Sequence, residues 1–306
     1  MSTRRWFLLG IAPVLAEPAG WVARMGGQVE RDAKGAAIGV NLRGSWINDA
    51  DMIELGRMPG LERLDLSHTR ITDEGLLRLK PAAKIRDLNL YYAEWITDQG
   101  MTAIANWKQL KRLNVRGTRI SDGTLEIVSG IIGLEALDIA HTPLTENGLD
   151  RLITLINLKE LAMGGSRRSS GGLQVLRMLS TLTHLDLSGA RPAPPDMPSR
   201  ASAGAGMPEE SLRAIAELKD LRVLKLGHSD ITAPGLLILS PSLEKLERLG
   251  LEGCRRVNDS AVATLGNWKS LKYVDLQDTE VTAQGLETLR KMRPDLAILP
   301  VRPESR

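Results

Sequence analysis

Leu61-Glu62-Arg63-Leu64-Asp65-Leu66-Ser67-His68-Thr69-Arg70-Ile71-Thr72-Asp73-Glu74-Gly75-Leu76-Leu77-Arg78-Leu79 is the stretch on which the reading of this chain turns. Its first half alternates apolar and polar residues with the period of a strand. Leu64 and Leu66 therefore point one way, and Arg63, Asp65 and Ser67 the other. Its second half opens on a helix cap, Thr72, then an acid, a glycine and leucines at helical spacing. The same stretch restarts along almost the whole sequence. The residue in the place of Leu64 is in turn Val40, Leu64, Leu88, Leu113, Leu137, Leu161, Leu185, Leu224, Leu249, Val274 and Leu299, with gaps of 24, 24, 25, 24, 24, 24, 39, 25, 25 and 25. A fixed period of this length means stacked units, because one such unit cannot bury its apolar face alone.

Each column of the repeat has a physical reading. Identical strands one repeat apart pair in parallel, and the crossover returns through a helix on the other side. Helix caps recur at Asn48, Thr72, Thr97, Ser121, Thr145, Ser169, Thr232, Asn258 and Thr282. Acids follow at Asp73, Asp98, Asp122, Glu146, Glu209 and Asp259, where the helix dipole favours negative charge. Glycine recurs at Gly75, Gly100, Gly148, Gly172, Gly235 and Gly285, marking a position that needs a small residue for close packing.

The pattern L-x-x-L-x-L-x-x-(T/S/C)-x-(I/V)-T-D-x-G-L-x-x-L resembles a leucine-rich repeat. Its Ile-Thr-Asp-x-Gly-Leu half resembles the cysteine-containing subtype found in F-box adaptors and in many bacterial repeat proteins. Leu246-x-x-Leu249-x-Leu251-x-x-Cys254-Arg255-Arg256-Val257-Asn258-Asp259 is the best copy of that subtype. Elsewhere the cysteine position holds Thr69, Thr118, Thr142, Ser166, Ser229 and Thr279, small hydroxyls able to satisfy buried backbone groups. The resemblance covers roughly residues 36 to 302. It implies an α/β solenoid of ten strands, a curved horseshoe with a parallel β-sheet on the concave face and helices on the convex face. The adaptor role is not carried over, since nothing before the first repeat resembles an F-box.

The ends and the one long gap set the expected organisation. Thr3-Arg4-Arg5-Trp6-Phe7-Leu8-Leu9 resembles a twin-arginine export motif ahead of a short apolar run, so residues 1–16 read as a signal peptide. Residues 17–39 read as a capping helix and hairpin, with strands at Gln28–Arg31 and Ala36–Leu42. Repeats then run over 40–302, with Leu296-x-x-Leu299-x-Val301 as a last strand, and 303–306 form a tail. The 39-residue gap is one repeat with a Pro-, Ala- and Gly-rich insertion at 192–206, a composition unable to pack a core.

Charge and composition narrow the function. The chain of 306 residues has 40 basic and 37 acidic residues, for a net +3 that falls to +1 without residues 1–16. With 3 % aromatic residues and no basic patch interleaved with them, nucleic acid is not expected as a partner. Cys254 is the only cysteine, so no internal disulfide is possible, and its column marks it as a buried structural thiol. His68, His141 and His228 share one column. The first two lie three strands, roughly 14 Å, apart, too far for one metal. His228 lies one strand and one column from Cys254, whose inward column argues against a nucleophilic pair. No phosphate loop, nucleophile elbow or metalloprotease motif occurs. No catalytic residues, metal or cofactor are expected, and no segment beyond the leader suits a membrane.

What remains is surface. The columns beside each ladder leucine form the concave face, and Arg43, Arg63, Asp65, Asn89, Tyr91, Arg112, Asn114 and Arg116 are the candidate partner-binding residues. Mixed charge with a tyrosine is the composition of a protein-binding face. Tyr91 and Arg116 are expected to face water, with Trp95 either beside them or filling the core. Further along, Ala136, Ala140, Ala162 and Gly164 make the face smoother. A second candidate is an anion-binding rim of Arg119, Arg167, Arg168 and Arg191 on loops leading into helix N-termini. The expectation is an exported, monomeric, non-enzymatic scaffold, periplasmic or extracellular, that binds a protein or glycan. Its rival is a regulatory or substrate-binding subunit of an envelope enzyme that uses the loop rim.

Overall fold

The computed structural model describes residues 20–165, 173–189 and 207–300. The leader, the insertion at 192–206, Gly172, Ser166, Ser169, Arg167, Arg168, Arg191, Val301 and the tail lie outside the described residues. A short helix, Gly20–Arg24, precedes twelve strands that form one sheet in strict sequence order. They are β1 (Gln28–Arg31), β2 (Ala37–Asn41), β3 (Arg63–Asp65), β4 (Asp87–Asn89), β5 (Arg112–Asn114), β6 (Ala136–Asp138), β7 (Glu160–Ala162), β8 (His184–Asp186), β9 (Val223–Lys225), β10 (Arg248–Gly250), β11 (Tyr273–Asp275) and β12 (Ala297–Leu299). β1 pairs antiparallel with β2 as a hairpin, and every later pairing is parallel.

Two counts therefore change. The sheet has eleven parallel strands rather than ten, because the last repeat half still pairs although no described helix follows it. Its register also differs from the expected one. Val274 pairs with Ile298, not Leu299, so the final gap is 24 residues. Ile298 is the side chain turned inward, at 7 % exposure. Beside Leu296, an inward Ile298 keeps the two-residue alternation of the strand.

The ladder residues Val40, Leu64, Leu88, Leu113, Leu137, Leu161, Leu185, Leu224, Leu249 and Val274 are all buried, as are Leu66, Leu76 and Leu79 of the opening stretch. They form a single continuous core between sheet and crossovers. The crossovers are short α-helices such as Asp73–Leu77 and Asp122–Ser129, with 3-10 turns at Thr102–Ile104, Asp150–Thr154 and Gln174–Met178. Only one apolar stripe faces the core, so one or two turns suffice to cover it.

The hydroxyl column does what its chemistry suggests. Thr69, Thr118, Thr142 and Thr279 donate to the carbonyls of Leu66, Val115, Ile139 and Leu276 at 2.5–2.7 Å. Cys254, fully buried, donates instead to Leu226 O of the preceding repeat at 3.1 Å, and burial pushes its thiol pKa up.

The acid column does more than meet a helix dipole. Asp49, Asp73, Asp98, Asp122 and Asp259 each reach across to the next repeat and accept hydrogen bonds from the backbone N–H and hydroxyl of Thr72, Thr97, Ser121, Thr145 and Thr282. The glycine column follows from this. A Cβ on Gly75, Gly100, Gly148 or Gly285 would stand within 2.4 Å of the carboxylate of Asp49, Asp73, Asp122 or Asp259.

Candidate functional site

The outward face of the sheet carries three columns, and the structure gives each a different role. The middle one holds Asn41, Asp65, Asn89, Asn114, Asp138, Asp186 and Asp275. Each accepts a hydrogen bond through Oδ1 from the backbone N–H two residues on, at 2.8–3.1 Å. That bond turns the chain at the strand's end, the local geometry short Asx side chains favour. Asp65, Asn89 and Asn114 thus spend one oxygen on the fold, and Asp65 also accepts from Asn89 Nδ2 at 3.0 Å.

The turn is completed one column on. His68, Tyr92, His141, His228 and Asp278 take φ between 52° and 56°, in register with glycines at 44, 117, 165 and 253. Side chains with a Cβ are strained there. Three rings lie directly over the next repeat's glycine: a Cβ on Gly117, Gly165 or Gly253 would meet Tyr92, His141 or His228 at 2.9, 2.3 and 2.2 Å. The histidine column is therefore an aromatic-over-glycine rim. The recurrence of Gly beside His and Tyr in that column was its sequence signal.

The first outward column supplies ion pairs. Arg63 grips Glu30 of the hairpin at 2.7 and 2.8 Å. Arg112 reaches over Ala136 to Glu160, two strands away, in a bidentate pair at 3.1 and 2.8 Å. That hydrogen-bonded pair outweighs burial and holds the Glu160 carboxyl below its ordinary range. In the third column Arg116 turns back over Asp138, Nε to carboxylate at 3.0 Å, with Asp186 at 3.9 Å. Lys225 approaches Asp186 from the other side at 3.7 Å. Burial raises the pKa of Asp138 despite Arg116, and that of Asp87, whose nearest base, Arg112, stands 3.9 Å away.

These side chains wall a groove of about 550 Å3 that crosses β4 to β9. Its floor is the small-residue stretch Ala136 and Ala162, flanked by Asp138 and Asp186. Its ends are Tyr91 and Arg116 on one side and Lys225 on the other. Arg112, Asn89 and Asn114 also line it, whereas Arg63 and Asp65 line a second groove beside the hairpin. Arg43 is exposed and lines neither. The candidate residues expected from the sequence end at Arg116, whereas this groove continues past them to Asp186 and Lys225.

Two expectations about side-chain direction change, and one open alternative closes. Ser67 is fully buried rather than outward. Tyr91 and Arg116 are half-buried, Tyr91 against His68 and Tyr92 at 5.0 and 4.7 Å between ring centres. Trp95 is no core filler, being 51 % exposed with the Arg119 guanidinium 4.8 Å over its ring. The helix-terminal N–H groups offered to an external anion at Thr97, Ser121 and Thr145 already bond the Asp carboxylates of the preceding repeats.

A sheet of stacked parallel strands with one crossover per 24–25 residues defines a leucine-rich repeat solenoid. The family described as Leucine Rich repeat matches residues 59–80, the stretch quoted at the outset. None of the curated proteins matches the chain in sequence. Among solved structures it is similar to a leucine-rich repeat protein of Leptospira interrogans, with a TM-score of 0.51, 19 % identity and coverage of 80 % of this chain and 62 % of that one. It is similar to the leucine-rich repeat ectodomain of the Arabidopsis receptor kinase HAESA, solved with an N-terminally extended IDA peptide hormone, at a TM-score of 0.53 and 19 % identity over 83 % of this chain. The chain spans 40 % of that ectodomain. An internalin of Listeria monocytogenes follows at a TM-score of 0.50 and 14 % identity, with 95 % of this chain and 94 % of that one covered. The fold is that of a leucine-rich repeat solenoid.

Proposed function

We propose that this protein is a non-catalytic binding scaffold, and that the groove across β4 to β9 is where it holds a protein partner. The observation that carries the reading is the pairing of a small-residue floor, Ala136 and Ala162, with charged walls. An extended segment can approach the backbone over Ala162, beside the Arg112–Glu160 pair that roofs Ala136, while Asp87, desolvated and 3.9 Å from its nearest base, receives a basic side chain. The HAESA ectodomain, of the same fold, was solved with a peptide ligand. Tyr91, Arg112, Asn89, Asn114 and Arg116 contribute from the N-terminal end, and Arg43, Arg63 and Asp65 extend the surface towards the hairpin. A glycan is the alternative occupant of this groove, and a role as an envelope enzyme's binding subunit is the alternative function.

The scaffold acts as a monomer outside the cytoplasm, delivered by the twin-arginine leader in residues 1–16. No helix among the described residues is long and apolar enough to cross a membrane. Changing Arg4→Lys with Arg5→Lys is expected to strand the protein in the cytoplasm. Native material whose N-terminal sequence starts at Met1 or Ser2 would contradict export.

The groove is tested by placing a photo-crosslinking amino acid at Ala162 and, separately, at Leu237 on the convex side. A discrete adduct from Ala162 alone, abolished by excess unlabelled wild-type protein but not by unlabelled Ala162→Tyr protein, is the expected result. Adducts from Leu237 alone would move recognition off the sheet.

A further inference from the structure

Immediately before the buried isoleucines Ile47, Ile71, Ile96 and Ile120 stand Trp46, Arg70, Trp95 and Arg119. Repetition places these four in one file along the loop rim, one per repeat. The structure joins them in pairs. The Arg70 guanidinium lies 5.3 Å from the centre of the Trp46 ring, and that of Arg119 lies 4.8 Å from Trp95. The indoles are nevertheless exposed, at 81 % and 51 %, whereas Trp107 and Trp268 are buried at 0 % and 3 %. With Tyr91 and Tyr92 on the adjoining columns, four of the ten Phe, Trp and Tyr residues of a 306-residue chain gather at this one rim. Neither core packing nor the concave groove uses the two indoles.

The charge is equally unspent. Among the described residues neither Arg70 nor Arg119 has a carboxylate partner. The neighbouring acids are engaged elsewhere: Asp73 and Asp98 hold the caps of the next repeats, and Glu74 pairs with Arg78. Glu94, exposed beside Trp95, remains the local carboxylate. A guanidinium stacked by its face keeps its edge N–H groups free for bidentate bonding to a carboxylate. The indoles stand two strands apart, about 10 Å at about 4.8 Å per strand.

We propose that the Trp46–Arg70–Trp95–Arg119 file is a second binding site, separate from the concave groove, for a linear acidic polysaccharide bearing uronate carboxylates. Flat pyranose rings stack their C–H faces on the exposed indoles, and the carboxylates between them bond the arginine edges. The alternation of aromatic and cation, one strand apart, is the complement of a polymer that alternates apolar ring faces with carboxylates. A peptide is the poorer fit, because the strands beneath are already paired on both sides and give its backbone no edge to join.

The test is affinity electrophoresis of the full protein through gels containing polygalacturonate, dextran or poly-L-glutamate, paired with tryptophan fluorescence titration by the same three polymers. Retardation and a fluorescence change with polygalacturonate alone are expected. Trp46→Ala with Trp95→Ala should weaken binding at least about tenfold, as should Arg70→Gln with Arg119→Gln, each variant first shown to be folded by circular dichroism. Ala162→Tyr in the concave groove should leave polygalacturonate retardation unchanged, which separates this site from the groove. Absence of retardation in the wild type overturns the proposal. So does equal response to poly-L-glutamate, which would assign the file to an acidic peptide, or retention that survives loss of both indoles.

Discussion

Asp259 and Thr282 belong to different repeats, yet the carboxylate of the first accepts both the backbone N–H and the hydroxyl of the second, at 2.8 and 2.7 Å. Thr282 in turn caps its helix by accepting from Gly285 N–H at 3.1 Å. A Cβ on Gly285 would lie 2.2 Å from Asp259 Oδ1. Three residues thus form one unit that recurs down the convex edge, where a solenoid has only nearest-neighbour contacts to hold it.

The unit predicts a sign reversal. Asp259→Ala leaves the Thr282 N–H and hydroxyl short of an acceptor and should cost about 1–3 kcal/mol. Gly285→Ala should destabilise the wild type through the clash. In the Asp259→Ala background the carboxylate clash is gone, only the Val281 methyl at 3.1 Å has to give way, and alanine's helix preference, about 1 kcal/mol, should appear as a gain. Urea unfolding of the four proteins measures the coupling, and strictly additive effects would refute the packing argument.

Acid stability should depend on Asp98. Burial opposes its ionisation, but the hydroxyls and backbone N–H groups of Ser121 and Thr124 outweigh that and hold its carboxyl below the ordinary aspartate range. A lowered folded-state pKa stabilises the protein above the unfolded value, about 3.9. The contribution is lost as pH falls through that value towards the folded one. Asp98→Asn should therefore lower stability at neutral pH and flatten its decline on acidification. Unfolding midpoints from neutral to acid pH for both proteins would show it.

Two arginines on the same face should respond differently to removal. Arg112 bridges to Glu160 with both side chains exposed, at 52 % and 43 %, so Arg112→Ala should cost at most about 1 kcal/mol. Arg116 and Asp138 are less exposed, at 23 % and 24 %, and Arg116→Ala leaves a desolvated carboxylate without its base. Tyr91→Ala with Arg116→Ala, two residues expected from the sequence to face water, should therefore cost about 2 kcal/mol or more. Equal losses from Arg112→Ala and Arg116→Ala would mean that burial does not separate the two pairs.

Joining Arg191 directly to Met207 should leave the fold intact. β8 and β9 pair in register, Leu185 with Leu224, so the sheet does not need the residues between. Closing a shorter loop costs little, and the melting temperature should stay within a few degrees. Loss of cooperative unfolding would show that residues 192–206 pack against the stack.

The architecture was legible because every repeat states it again: Leu64 and Leu66 inward, Thr72 as cap, Leu76 and Leu79 as the helical stripe. These are local patterns, and local sterics and burial act over a few residues. The end of the ladder was misread by one residue because Leu299 and Ile298 are both apolar, and only pairing to Val274 selects between them. Contacts between repeats were out of reach for a related reason. Asp259 meets Thr282, Arg112 passes over Ala136 to Glu160, and Arg119 covers Trp95 across a separation of about one or two repeats. The sequence alone determined a parallel-stranded solenoid and the columns that face out of it. The tertiary structure decided which of those outward residues are spent on one another and which remain free, because that depends on how neighbouring repeats are registered in space.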